Sequence, residues 1–229
     1  MELIEPKHEI LTPISHEGCS ELMFIETVAR TCYQSEMANA NGDFEITKRM
    51  IKGLIKRHHD AMLEHSFLSV KFTCSRAISH ELVRHRHFSF AQESTRYCNY
   101  GNKEMQFIKP FWYDNAPFND KKIFEDNLIS AEKLYNFYID NGRTPQEARE
   151  ILPNALKTEI VVSGNYREWR HMLSLRAANT TGPAHPDMNV LMCPLLIELY
   201  ESLPVIFDDI YDIMMNDVHA AKYVKSFKA

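Results

Sequence analysis

Glycine is scarce in this chain: 7 of 229 residues, roughly 3% against a usual level of about 7%. Neither G-x-G-x-x-G nor G-x-x-x-x-G-K-[ST] occurs. The two common phosphate cradles, which present backbone N–H groups from a glycine-rich loop, are therefore excluded. Cysteine is limited to five widely spaced residues, Cys19, Cys32, Cys74, Cys98 and Cys193, with no C-x-x-C pair. An odd, dispersed set argues against a disulfide framework or a structural zinc site and fits free thiols in a reducing cytoplasm. No apolar run is long enough to span a bilayer, so no membrane segment is expected. The start, Met1-Glu2-Leu3-Ile4-Glu5-Pro6-Lys7, lacks the basic and apolar stretches of a signal peptide. Lys plus Arg make 26 and Asp plus Glu 31, so 26 − 31 gives −5. That balance argues against general nucleic-acid binding, although an average can conceal a local cationic cluster.

What is present is ordinary globular material, with 45% hydrophobic and 25% charged residues. There is no repeat or low-complexity tract. Loops are expected at Met37 to Asp43, Asp114 to Lys122 and Ala178 to Pro186. Apolar spacing predicts helices over Ser20 to Cys32, Phe44 to Arg57 (capped by Asp43), Ile123 to Tyr138, Glu168 to Arg176, and Met188 to about Met215. Pro194 and Pro204 are expected to break or kink the last of these. Thr144-Pro145-Gln146-Glu147 reads as a capping box that opens a short helix, ended by Pro153. Strands are expected at Ser66 to Cys74 and Leu156 to Ser163, with weaker candidates at Met105 to Ile108 and Glu9 to Leu11. Many helices and few strands give an α+β class, a central, mainly antiparallel sheet flanked by helices, in one domain over residues 1–229.

One stretch departs from ordinary surface composition: Arg84-His85-Arg86-His87-Phe88-Ser89-Phe90-Ala91-Gln92-Glu93-Ser94-Thr95-Arg96-Tyr97, with three arginines and two histidines in fourteen residues. Without glycine nearby, guanidinium groups would have to hold any anion, and their planar fork suits phosphate. On composition alone a solvated basic face remains the simpler explanation. The same holds for Arg149 before Pro153, and for Asn165-Tyr166-Arg167 with His171 and Arg176, which also reads as an amphipathic surface helix. His58, His59, Glu64 and His65 suggest a metal-dependent hydrolase, but H-E-x-x-H is absent and adjacent helical histidines point apart. A third reading is a non-catalytic nucleotide- or RNA-binding module on the 84–97 cluster, with Phe88, Tyr97 and Tyr100 as stacking partners.

Order and spacing change this weighing. Arg84-His85-Arg86, then Ser94 and Arg96-Tyr97, resembles the R-H-R…S-x-R-Y signature of flavin-dependent thymidylate synthases. Glu64-His65 ahead of a strand, Arg149-Glu150-Ile151-Leu152-Pro153, and Asn165-Tyr166-Arg167 followed by Leu175-Arg176 resemble further pieces of that family in the same order, from roughly Arg30 to His185. The resemblance implies an α+β homotetramer with sites shared between subunits. It implies conversion of dUMP to dTMP, with 5,10-methylenetetrahydrofolate as carbon donor, NADPH as reductant and one FAD per active site. It places FAD against Ala61, Arg84, His85, Arg86, Gln92, Asn165, Tyr166, Arg167 and His171. It places dUMP against Glu81, Leu82, Val83, Arg84, Gln92, Glu93, Ser94, Thr95, Arg96, Arg149 and Arg176. Arg176 would activate the uracil ring as the catalytic residue, with no enzymic covalent nucleophile and no metal. No nucleic-acid or membrane partner is implied. The chain departs from the family pattern at Gln92, where glutamate is common, at Glu81, where glutamine is frequent, at His171, an asparagine in some members, and in an apparent insertion at Asn179 to Pro183.

Overall fold

The computed structural model describes residues 1–32, 34–35, 44–101 and 103–225. The expected loop at 37–43 and the Asp43 cap lie outside the described residues. In chain order the elements are β1 (Glu2–Ile4), β2 (Lys7–Ile10), α1 (Cys19–Thr31), α2 (Phe44–Lys56), a 3-10 turn at Asp60–His65, β3 (Phe67–Ser75), α3 (Arg76–Leu82), β4 (Ser89–Gln92) and β5 (Gln106–Ile108). They continue with α4 (Phe118–Asp140), α5 (Pro145–Ala148), a 3-10 turn at Arg149–Ile151, β6 (Lys157–Asn165), α6 (Tyr166–Arg176), α7 (Pro186–Ser202), α8 (Pro204–Asn216) and α9 (Ala221–Lys225). Strands β2, β3, β6 and β4 form, in that order, a four-stranded antiparallel sheet, and β1 pairs in parallel with β5. The expected α+β class with a helix-flanked sheet is the observed one.

The chain gathers into two compact units: Met1–Glu9 with Lys71–Arg86 and Phe90–Val162, and Ile10–Val70 with His87–Ser89 and Ser163–Ala229. In the first, Met105, Phe107, Leu128, Tyr135, Ala148 and Leu156 form a core under α4 and β5. Helix α4 begins at Phe118, so the expected loop at Asp114 to Lys122 is helical over its second half; Pro117 follows a run of turns and supplies a fixed φ of −56° just before the first helical turn. At α5 the expected box is present: the Glu147 carboxylate reaches back to accept from the Thr144 N–H (2.9 Å), and it also accepts from the Thr144 hydroxyl (2.8 Å). These bonds hold the Glu147 carboxyl below its usual range, the backbone bond contributing most.

In the second unit, α6, α7 and α8 bury Trp169, Met172 and Leu173 along with Leu191, Leu195, Leu196, Ile206 and Phe207. Helix α7 runs through Pro194 without the break that was one of the two outcomes expected there. Met192, Cys193, Leu195 and Leu196 around it are all buried, and their packing offsets the one backbone bond that proline removes. The chain breaks instead at Leu203, whose ψ of 55° lies outside the helix, and Pro204 restarts it at the first turn of α8. Between α1 and α2 lies a fully buried carboxylate: Glu26 accepts from Arg30 Nε (2.6 Å) and Thr47 Oγ1 (2.5 Å). Removing one donor to a buried charge costs about 1–3 kcal/mol. Thr47→Val should therefore lower the unfolding free energy by that much, read as a lower urea midpoint at an unchanged slope; an unmoved midpoint would show that the bond carries no stability.

Candidate active site

The first unit holds a polar cavity of about 310 Å³ lined by Arg76, His80, Thr95, Arg149, Glu150, Leu152, Pro153, Asn154 and Leu156. Four of the lining residues, Arg76, His80, Thr95 and Arg149, have a local reason for their place. Ser75 ends β3 in an extended conformation and its hydroxyl accepts from the Ile78 N–H (3.3 Å), which starts α3. Arg76 and His80 then fall four residues apart on that helix and share a face. Beyond β4 the chain turns sharply: the Ser94 carbonyl accepts from the N–H groups of Tyr97 (3.2 Å) and Cys98 (2.9 Å). This turn buries Thr95, only 7% exposed, and its hydroxyl accepts from Arg149 Nη1 at 3.1 Å. Arg149 follows α5, whose capping box fixes where the 3-10 turn begins.

Apart from Arg176, which belongs to the second unit, the other residues expected around the nucleotide lie in this unit too. Leu82 is buried in its core, while Val83, Arg84 and Arg86 are exposed at the end of α3 and His85 is half-buried. Glu81 is half-buried beside them. The amide of Gln92 donates to Ser79 Oγ (2.8 Å) and Thr158 Oγ1 (3.2 Å), so its donors face the unit's interior. Glu93 turns its carboxylate to Tyr100 and Lys157. Arg96 is exposed and lies over the ring of Tyr97 at 5.4 Å. Arg76 and His80 were not singled out from the sequence. The signal was available, since 76, 80 and 84 follow one another at intervals of four residues, but it needed the short helix α3 to be recognised.

The second unit carries a larger cavity, about 540 Å³, lined by Ile55, His58, Asp60, His87, Arg167, Glu168, Arg170, His171, Ser174, Asp209, Ile210 and Ile213. Of the residues expected to hold a flavin, Arg167 and His171 line it. They lie four residues apart on α6, so they share its exposed face. Asn165 caps that helix, its side-chain oxygen accepting from the Glu168 N–H at 2.9 Å. Tyr166 is buried, with its ring edge-on to Phe207, and burial pushes its phenol well up. These two residues therefore aim the helix rather than line the cavity. Ala61 is exposed in the 3-10 turn, which begins just after His58, itself at a left-handed φ of 57°. Arg167 forms an ion pair with Glu64. Arg170 grips Asp209 through two bonds, 2.8 and 2.6 Å. Burial pushes the Asp209 carboxyl up, but the Arg170 bonds outweigh it and hold the group below its usual range.

Arg176 is the last residue of α6 and half-buried. Its carbonyl accepts from Asn189 Nδ2 at 2.7 Å, which pins the helix end to α7. A fixed cation there sits well against the negative end of the helix dipole.

The donor chemistry fits a flavin nucleotide. Arginine and histidine side chains line one part of the second cavity, and Ile55, Ile210 and Ile213 supply apolar surface for a flat ring. Among the described residues no group of three or more His, Cys, Asp or Glu is placed to hold a metal ion, and Glu64 of the suspected hydrolase set pairs with Arg167. Of the three rings suggested as stacking partners, Phe88 is buried against Trp169 and Tyr100 packs on Tyr135; Tyr97 is exposed. Cys74 and Cys193 are buried, which pushes both thiols up to about 12 and keeps them protonated.

The model of the family described as "Thymidylate synthase complementing protein" matches residues 19–205. The chain belongs to that family, the flavin-dependent thymidylate synthases. It is 33% identical over 217 residues to the flavin-dependent thymidylate synthase of Corynebacterium aurimucosum, covering 88% of this chain and 85% of the relative. To that of Mycobacterium marinum it is 32% identical over 201 residues, covering 81% and 78%. Among solved structures it is similar to the UMP/dUMP methylase PolB of Streptomyces cacaoi bound with 5-Br dUMP, with a TM-score of 0.71 at 19% identity, covering 91% of this chain and 96% of that one. At that identity the likeness speaks for the family fold. Among the described residues no helix is long and apolar enough to cross a membrane.

Proposed function

We propose that the protein methylates dUMP to dTMP, with 5,10-methylenetetrahydrofolate as the carbon donor, NADPH as the reductant and FAD as the resident cofactor, working as one family domain in a cytoplasmic homotetramer. The observation that carries this reading, in a chain of this family, is the Arg149–Thr95 contact in the lining of a polar cavity that also presents Arg76 and His80. A buried hydroxyl already engaged by a guanidinium, with further cationic and hydrogen-bonding groups beside it, is suited to the phosphate and sugar of a nucleotide. Ser94 and Arg96, on the same turn, complete the grip.

In the proposed tetramer, Arg84, His85 and Arg86 of one subunit and Arg167 and His171 of a neighbouring subunit would hold FAD, with Asn165 and Tyr166 setting the helix of the latter pair. FAD held there would, when reduced, supply the hydride needed to turn a transferred methylene into a methyl group. The chain's own tasks are positioning and electrostatics. For C5 of uracil to become a nucleophile, negative charge must build on the ring. Arg176, a fixed cation, would stabilise that charge at the N3–O edge. The C5 proton must then leave, so release of tritium from [5-³H]dUMP in the presence of methylenetetrahydrofolate, NADPH and FAD tests the reaction directly. A purified protein that neither binds FAD nor releases tritium would reject it.

Arg149 offers a second test. Arg149→Lys keeps the charge but loses the fork that reaches Thr95 while facing the cavity. The KM for dUMP should rise about tenfold or more, the loss of one charge-assisted bond, with flavin content unchanged. An unaltered KM would remove Arg149 from the nucleotide site.

A further inference from the structure

The segment that carries Ser94, Thr95 and Arg96 is closed at its base. Glu93 leads into it and Tyr100 leads out, and the Tyr100 hydroxyl donates to Glu93 Oε1 at 2.8 Å. The second carboxylate oxygen accepts from Lys157 Nζ (3.1 Å) and from the backbone N–H of Glu159 (3.2 Å), both on β6. The backbone of Glu93 is tied to the same strand, its N–H donating to the Glu159 carbonyl at 2.9 Å. Tyr100 is held from behind: its N–H donates to the hydroxyl of the fully buried Tyr135 (3.3 Å), and the two rings meet edge to face at 5.9 Å. The Glu93 and Lys157 side chains are each only 18% exposed, so solvent screens the pair weakly.

We propose that Glu93, Tyr100 and Lys157 form a clasp that fixes the 94–96 turn in its nucleotide-gripping shape, acting as positioning residues and not as ligands. A carboxylate aimed into a phosphate site would repel the substrate. Here Glu93 is turned away and accepts three donors, and the turn it closes presents the Thr95 hydroxyl to Arg149. Burial and the Glu93 bond both push the Tyr100 phenol well above its usual range, so it remains a donor at all working pH values. The clasp orders the turn before binding, which spares dUMP the conformational entropy of ordering it. This inference rests on the proposed reaction.

Its signature is a split between binding and turnover. With dUMP varied in the tritium-release assay, Tyr100→Phe should raise KM for dUMP about tenfold, near 1.4 kcal/mol, while kcat at saturation stays within about twofold. Lys157→Met should do the same, and Lys157→Arg should restore most of the lost affinity. Flavin content should not change in any of them. Where Tyr100→Phe loses its fold, the lysine pair decides the matter. A wild-type protein without tritium release would sink the reaction itself. An active wild type whose folded variants keep its KM, or lose kcat at constant KM, would overturn the clasp alone.

Discussion

Arg176→Ala should lower dTMP formation by about 10²–10³-fold, the size of effect seen when one preorganised donor to a developing anion is removed, or about 2.7–4 kcal/mol. The protein should nonetheless stay folded and yellow. Three structural facts separate these outcomes. Helix α6 is anchored by Trp169, Met172 and Leu173, all fully buried. Its end is pinned by a bond from Asn189 to the Arg176 carbonyl, a main-chain contact that the substitution keeps. The cavity-lining Arg167 and His171 lie upstream on the helix and are untouched.

The chemistry makes the loss fall on kcat more than on KM. Neutral uracil gains little from a nearby cation, whereas the ring carrying negative charge gains much, so the interaction strengthens on the way to the transition state. Arg176→Lys should recover part of the rate, because a point charge remains while the planar fork is gone. Flavin absorbance before and after reduction, read beside tritium release, distinguishes a binding defect from a chemical one. Turnover of Arg176→Ala at the wild-type rate would eliminate the assigned role.

How much of this was legible in the sequence follows from the range of the interactions. Period-3.6 and period-2 patterns are local, and they located α1, α2, α6 and β3 to within about two residues. Helix α3 escaped because its seven residues carry a single apolar i, i+4 pair, Ile78 and Leu82, and follow directly on a buried strand. The short strands β1 and β4 were missed for a related reason: a run of three or four residues barely shows a period, and the equally short β2 and β5 stood out only as weaker candidates. At Pro194 the local rule predicted a break or a kink, and packing on both sides of α7 kept the helix unbroken.

The candidate site divides along the same line. R-H-R…S-x-R-Y is a continuous signature, so its arginines could be named at once. The clasp could not, since Glu93 and Lys157 are 64 residues apart: Glu93 was named only as a nucleotide contact, and Lys157 looks like an ordinary surface charge. Gln92 and Tyr166 show the complement. Their place in the signature is local information, but the direction of the side chain is not, and both turn toward protein interior. The low glycine content fits the proposed function, in which nucleotide recognition would rest on arginine side chains rather than on a backbone nest.

One of the few glycines still governs a large effect. Gly164→Ala should destabilise the second unit by about 1–3 kcal/mol, the usual cost of forcing atoms into a filled core. A Cβ at Gly164 would stand 2.4 and 2.5 Å from the ring carbons Cδ1 and Cε1 of Phe88. That ring has little room to withdraw: it is 8% exposed and meets the indole of Trp169 edge-on, with centroids 5.0 Å apart. The indole is itself fixed by a 2.9 Å bond from Nε1 to the Leu68 carbonyl. The neighbour before Phe88 is His87, which lines the proposed flavin cavity. A displaced Phe88 should move His87 with it, so FAD affinity should fall along with stability. The decisive measurement is a double-mutant cycle. Phe88→Ala alone should cost about 3–5 kcal/mol by opening a cavity. Adding Gly164→Ala to it should then cost much less than on wild type, because the clash has gone. Additive costs would mean that Gly164 is required for something other than room for the Phe88 ring.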